Sequence, residues 1–222
     1  MREIIFDTET TGFDPFTGDR IVEIGAIEMI NRVLTGETFH IYCNPERDMP
    51  QSAYKIHGIS SDFLADKPLI IDVLDDFLAF VDGAPLVAHN ATFDMKFINW
   101  ELENASKAPI SKDQFIDTLI MARTKYPGQP NSLDALCKRL GVNNSNRTLH
   151  GALLDSEILA DVYVELLGGR QAGLDLSIVS KGMVDTGGYK MKREVRVFTA
   201  SAEEKAAHAD FIVRLDEPIW KR

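Results

Sequence analysis

Asp7, Thr8 and Glu9 follow the apolar run Ile4-Ile5-Phe6. On a strand, positions i and i+2 share a face, so the Asp7 and Glu9 carboxylates lie side by side at the end of an apolar segment. Two adjacent carboxylates repel, and their placement next to a core is costly unless a cation sits between them. Hard cations such as Mg²⁺ or Mn²⁺ take oxygen ligands of this type. A further acid closes the stretch His89-Asn90-Ala91-Thr92-Phe93-Asp94, in the first turn of an expected helix. A last pair, His150 and Asp155, sits at the start of another expected helix. Five residues apart is a poor same-face spacing, so a loop position for His150 is what lets it swing over a site. An acid ligand with a histidine of near-neutral pKa suits metal-assisted hydrolysis with a general base. Each signal also has a bland reading. Asp7 and Glu9 suit a solvated strand end, Asp94 suits a helix dipole, and His150 with Asp155 suits an exposed helix start.

The elements around these residues alternate. Residues 2–7 read as a buried strand ending in an acid. Residues 20–30 and 34–43 read as a hairpin pair, with a turn signal at Thr35-Gly36. Residues 69–82 place apolar side chains at helical spacing and stop at Gly83. Residues 86–89 are a short strand, and Asn90 is the expected N-cap of a helix over 91–104. Residues 114–118 suit a fifth strand running into a helix, Asn131-Ser132 begins another helix that ends at Gly141, and 151–167 is an amphipathic helix. Strands alternating with helices after a meander indicate an α/β layer fold.

The chain has 222 residues, 45% hydrophobic and 26% charged, which suits a soluble globular protein of one to one and a half domains. It has no apolar run long enough for a membrane span, and MREIIFDTETTG has neither the apolar region nor the cleavage site of a secretory leader. Two distant cysteines, Cys43 and Cys137, fit a reduced, cytoplasmic setting. The net charge of −10 argues against holding nucleic acid by bulk electrostatics. That charge is uneven: residues 168–222 hold 10 of the 24 basic and 8 of the 34 acidic side chains. Residues 168–192 hold six of the fifteen glycines and no long periodic segment, which reads as a linker. Residues 194–199 suit a brief strand, and 201–215 open with a Ser-x-x-Glu capping box.

Taken in order, FDTETTGF (6–13), KIHGI (55–59), LVAHNATFDMKF (86–97), NSLDALCKRLGV (131–142) and RTLHGALLDSEILADVY (147–163) carry a family resemblance. The chain resembles the DEDD-type 3′–5′ exonucleases that have a histidine in the last motif. More closely, it is similar to the epsilon proofreading subunits of bacterial DNA polymerase III. The resemblance covers residues 2–167 and resumes weakly near AEEKAAHADFIVRL. It implies a ribonuclease-H-like α/β fold with a mixed five-stranded sheet flanked by helices, plus a C-terminal linker and a small partner-binding tail. The implied organisation is an exonuclease domain at 1–167, a linker at 168–193 and a tail at 194–222. By resemblance, Asp7, Glu9, Asp94 and Asp155 gather two divalent cations, Mg²⁺ or Mn²⁺. Asp7 and Asp155 would be the most direct ligands, Glu9 would also lie near the terminal nucleotide, and Asp94 would act through a water or at the second ion. His150 matches the family's general base, and the product would be a nucleoside 5′-monophosphate. By the same resemblance the substrate would be the single-stranded 3′ end of DNA, with Asp7, Glu9 and Asp155 beside it. Thr10, the backbone near Thr11, Ser52, His57, Asn90 and Phe93 fall where the family contacts the terminal nucleotide, and Phe13 is placed to wedge or stack on a base.

In the tail, Gln171, Leu174 and Leu176 resemble the short Gln-x-x-aliphatic-x-aliphatic peptides that dock on a sliding clamp. Residues 194–222, with Trp220, resemble the segment that binds the polymerase's alpha catalytic subunit; a small theta-like subunit is a further implied partner, and no membrane is. Two alternatives stand beside a DNA exonuclease. One is an RNA-trimming enzyme with the same five residues, and the other is a non-catalytic scaffold between polymerase and clamp.

Overall fold

The apolar run after Arg2 forms a long central strand, β1 (Arg2–Thr10), with Ile4, Ile5 and Phe6 fully buried. A computed structural model of the chain describes residues 1–145, 149–169 and 200–214. It divides into two units, Met1–Leu174 and Asp175–Arg222. In the first unit β1 pairs antiparallel with β2 (Ile21–Ile30), which pairs antiparallel with β3 (Val33–Tyr42). On its other side β1 pairs parallel with β4 (Leu86–Ala88), which pairs parallel with β5 (Phe115–Asp117). The result is the expected mixed five-stranded sheet, in the order β3-β2-β1-β4-β5.

Helices cover both faces of this sheet. The short α1 (Gln51–His57) and α2 (Ser61–Leu64) follow β3, and α3 (Ile70–Val81) precedes β4. Then come α4 (Ala91–Asn104), α5 (Thr118–Lys125), α6 (Leu133–Leu140) and α7 (Ala152–Leu166). Because side chains alternate along a strand, β1 feeds two cores. Ile4 and Phe6 pack with Phe77 of α3 and Phe97 of α4. Ile5 packs on the opposite face with Val87 of β4 and with Leu159 and Tyr163 of α7. The far side of α7 meets Ala122 of α5 and Leu136 and Cys137 of α6 through Ile158, Val162 and Leu166. Helix α7 is therefore covered on two sides, with ten of its fifteen residues buried, rather than amphipathic in the surface sense.

Several local expectations need correction. The hairpin turns at Asn31-Arg32, not at Thr35-Gly36. Both turn residues have positive φ, at 51° and 67°, as a two-residue turn matched to strand twist requires. Thr35 and Gly36 lie inside β3, beside a register shift opposite Ile27–Met29. Asn90 occupies the N-cap position of α4 but makes no side-chain cap; its backbone is left-handed. Its N–H instead donates to Asp117 Oδ1 at 3.2 Å.

In the second unit, α8 (Ala202–Val213) starts with the expected capping box, Ser201 and Glu204 bonding reciprocally. None of its residues is buried, and Phe211 and Val213 are exposed. Most of the linker, the clamp-like residues Gln171, Leu174 and Leu176, the brief strand at 194–199, and Trp220 lie outside the described residues. No helix among the described residues is long and apolar enough to cross a membrane.

One close contact fixes α7 on the sheet. A Cβ on Gly25 of β2 would lie 2.1 Å from the Leu153 backbone nitrogen and 2.3 Å from the Ala152 carbonyl carbon. The Ser156 hydroxyl donates to the Gly25 carbonyl at 2.9 Å in the same place. Gly25→Ala is expected to destabilise the protein by roughly 2–4 kcal/mol, because the added methyl meets backbone that cannot move aside. Denaturant unfolding checks this, and an unchanged midpoint would refute the contact.

Candidate active site

The candidate residues meet at the C-terminal end of β1. Asp7 pairs with Gly25 across β2, so the helix that lies on Gly25 delivers its first turn to the same strand end. That turn carries Asp155, 4% exposed, and the loop before it carries His150. His150 Nδ1 lies 3.1 Å from Asp155 Oδ2, and its ring is half exposed. The loop position for His150 is the one its spacing from Asp155 requires. Glu9, His150 and Asp155 each offer a ligand atom, and these atoms all lie within 4.8 Å of one another. Asp7 shares the strand face with Glu9 but sits about 7 Å further back along the strand, and it is not in this tightest group.

Asp94 approaches from the other face. Its Oδ1 accepts from the Thr8 backbone N–H at 3.1 Å and from the Thr8 hydroxyl at 2.7 Å. The helix α4 start is thereby fastened to the strand between Asp7 and Glu9. Asp94 is almost fully buried, and burial pushes its pKa up to about 7. The Thr8 bonds oppose that shift, and the nearby Asp117 carboxylate adds to it.

Beside Glu9 is a cavity of about 140 Å³ lined by Glu9, Thr10, Phe13, Ser52, His57 and Phe93, among others. Five of the substrate contacts expected from sequence (Glu9, Thr10, Ser52, His57 and Phe93) are therefore brought to one place. Asn90, Asp7 and Asp155 are not part of its wall. Phe93 also stacks on Phe97 at 5.0 Å, so it is core and cavity wall at once. Phe13 is 74% exposed at the rim. Its loop is fixed: Lys96 donates to the Phe13 carbonyl at 2.7 Å, and Asp19 accepts from Asp14 N–H at 3.1 Å and from Arg47 at 2.9 Å. A Cβ at Gly12 would lie 2.3 Å from that Asp19 carboxylate, which would have to leave its place on the loop.

His57 has a defined tautomer. Its Nδ1 accepts from the Ile59 N–H at 3.0 Å, so the neutral ring carries its proton on Nε2. Burial lowers the His57 pKa and keeps the ring neutral, against the pull of Glu23 and of the Thr10 carbonyl. Nε2 itself is buried and no group meets it with hydrogen-bond geometry. With only the poorly aligned Thr10 carbonyl near it, this buried donor on a cavity wall is suited to a ligand oxygen.

Residues 4–163 match the family described as exonuclease, RNase T. The DNA polymerase III epsilon subunit of Rickettsia felis is 52% identical over 96% of this chain and 96% of that protein. The epsilon subunit of Rickettsia conorii is 50% identical over 97% and 96%. The chain belongs to the DNA polymerase III epsilon-subunit family of exonucleases. A solved structure of exonuclease X in complex with 5′-overhanging duplex DNA is 29% identical to it, with a TM-score of 0.59 over 75% of this chain and 91% of that one.

In this epsilon-family chain, sequence reasoning missed two groups that shape the site. Thr8 lies within the first motif, yet its bond to Asp94 spans 86 residues and has no local signal. Asp117 does have one: an acid between a short strand and a helix is an N-cap pattern. Its Oδ1 accepts from Leu119 N–H at 2.8 Å, Ile120 N–H at 3.3 Å and Asn90 N–H at 3.2 Å, which ties α5 to the start of α4.

The Asp94 shift has a definite sign. Its folded-state pKa of about 7 exceeds the ordinary 3.8, so the fold favours the protonated acid. That stabilisation is complete below pH 3.8 and is lost as pH rises toward 7. Asp94→Asn keeps an acceptor for Thr8 and removes the titration. In EDTA, the melting temperature of the variant minus that of the wild type is expected to grow as pH rises from about 4 to about 7. A difference independent of pH would contradict this origin.

Proposed function

We propose that this chain is a 3′–5′ exonuclease that removes nucleoside 5′-monophosphates from a DNA 3′ end, as the proofreading subunit of a replicative DNA polymerase III. The observation that carries the reading is the cluster of Glu9, His150 and Asp155, with Asp7 and Asp94 on the same strand end and Glu9 shared with the wall of a small cavity. The donor set is hard oxygen plus one imidazole, the kind that hard divalent cations take. These residues fit divalent cations, and the exonuclease family depends on such metals. Asp7, Glu9, Asp94 and Asp155 would hold two of them, Mg²⁺ or Mn²⁺, which supply positive charge against the phosphodiester and Lewis acidity at the reacting phosphorus.

The protein's own groups do the rest. With Nδ1–H donating to Asp155, the His150 ring presents Nε2 as the base that takes the proton of the attacking water. The ring is half exposed, so water can reach it. His57 Nε2–H, Thr10 and the aromatic walls orient the terminal nucleotide. Thr8 holds Asp94 against β1 so that both faces of the strand end serve one reaction. The acidic body supports weak, distributive action on DNA by the isolated chain.

The partners follow the same reading. Epsilon-family membership supports attachment to the polymerase's alpha catalytic subunit through 194–222, where α8 exposes Phe211 and Val213. Gln171, Leu174 and Leu176 would dock on the sliding clamp, and a small theta-like subunit would bind the 1–167 exonuclease domain. A cytoplasmic location accords with that role.

A 5′-labelled single-stranded DNA should shorten from its 3′ end with Mg²⁺ or Mn²⁺ and not with EDTA. Asp7→Ala and Asp155→Ala should each lower the rate by about 10³-fold or more while the fold is retained. Wild-type turnover by either folded variant would overturn the assignment. Equal or faster trimming of a matched RNA would favour the RNA-trimming alternative.

A further inference from the structure

The body of this protein is acidic, with 14 Lys/Arg against 26 Asp/Glu over residues 1–167. Most of its described arginines are consumed internally. Arg2 is held by Glu28, Arg20 by Glu101 and Trp100, and Arg47 by Asp19. Arg32 donates to the Leu167 and Gly169 carbonyls, and Arg139 to Asn131 and the Pro130 carbonyl. Arg123, on the exposed side of α5, is the one arginine of that body with no ion pair, hydrogen bond or ring contact among the described residues.

Arg123 does not stand on open surface. It lines a shallow basin of about 600 Å³ with His89, Gln129, Asn131, Ser132 and neighbours, and no Asp or Glu is in that lining. The basin walls are fixed. Asn131 is buried, and its Nδ2 donates to the Gln129 carbonyl at 2.9 Å and the Tyr126 carbonyl at 3.3 Å. His89 Nδ1 lies 2.9 Å from the Thr118 hydroxyl, which donates to the Ala88 carbonyl at 3.1 Å. The basin is built on the segments that also place Asp94 and Asp117. His89 directly precedes the α4 turn that bears Asp94, and Leu119 follows Asp117, whose charge acts on Asp94.

A lining without carboxylates, with an uncommitted guanidinium and polar hydrogen-bonding groups, suits a diffuse anion. We propose that Arg123 and this basin hold a backbone phosphate of the DNA strand, upstream of the nucleotide being removed. This rests on the exonuclease reading above. Arg123 is a substrate-binding residue on this account, outside the reaction itself, and it offsets locally the repulsion between an acidic protein and a polyanion.

The test compares two substrates on the purified full chain with Mn²⁺. One is a single-stranded oligonucleotide; the other is a nitrophenyl ester of a mononucleotide, which has no upstream phosphate. For Arg123→Gln, the ratio of oligonucleotide to ester kcat/KM should fall on the order of tenfold at low salt, through KM. The slope of log kcat/KM against log salt for the oligonucleotide should become shallower by about 0.7, the loss of one contact to a single strand. Arg123→Lys should keep most of that slope. A ratio and slope equal to wild type in Arg123→Gln would overturn the proposal. Failure of the wild type on both substrates would instead refute the exonuclease reading.

Discussion

The site exists because helix α7 lies directly on the backbone of β2 at Gly25. Only a residue without a side chain admits the Ala152–Leu153 peptide at that distance. The contact turns a buried helix into a delivery arm for Asp155, while the pairing of Gly25 with Asp7 fixes where the arm ends. Everything else in the site is arranged around the cost of this convergence. Several carboxylates are brought to one strand end, two of them on helices packed against opposite faces of the sheet, and like charges in a partly dry place repel.

The structure meets that cost unevenly. Asp94 is the most deeply placed of the acids, and the two Thr8 bonds do not cancel its desolvation. In the group of Glu9, His150 and Asp155 a half-exposed imidazole accompanies two buried carboxylates. Around the cavity the protein does the opposite and locks its polar groups tightly. The Gly12–Arg20 loop is held by Asp19, Arg47 and Lys96, so the exposed Phe13 stands on rigid backbone. Stability is thus given up where charge must gather and recovered in the loops that position the ligand.

Much of this was legible in the sequence. The apolar run before Asp7 announced a buried strand, and the expected bounds of α4 coincide with the observed Ala91–Asn104. The tests that failed were ones where local chemistry competed with tertiary context. Thr35-Gly36 looks like a turn, but Asn31-Arg32 adopts the positive φ values and Gly36 is absorbed inside the strand. Asn90 looks like a side-chain cap, but the Asp117 carboxylate takes its backbone N–H and a left-handed backbone replaces the cap. The short helices α1 and α2 have too few turns for a periodic signal, although α1 contributes Ser52 and His57 to the cavity. Glu9, His150 and Asp155 form the tightest group of potential ligand atoms, a closeness across 146 residues that no local sequence signal gives.

The central claim is that these acids are gathered against their own repulsion to hold divalent cations. Thermal unfolding of the full chain across a Mn²⁺ titration tests it without any substrate. A ligand that binds only the folded state raises its stability with concentration. The account predicts a melting temperature that climbs with Mn²⁺ for the wild type and is nearly flat for Asp155→Ala. An equal climb in both proteins would mean that the cation binds elsewhere and that the strand end is not a metal site.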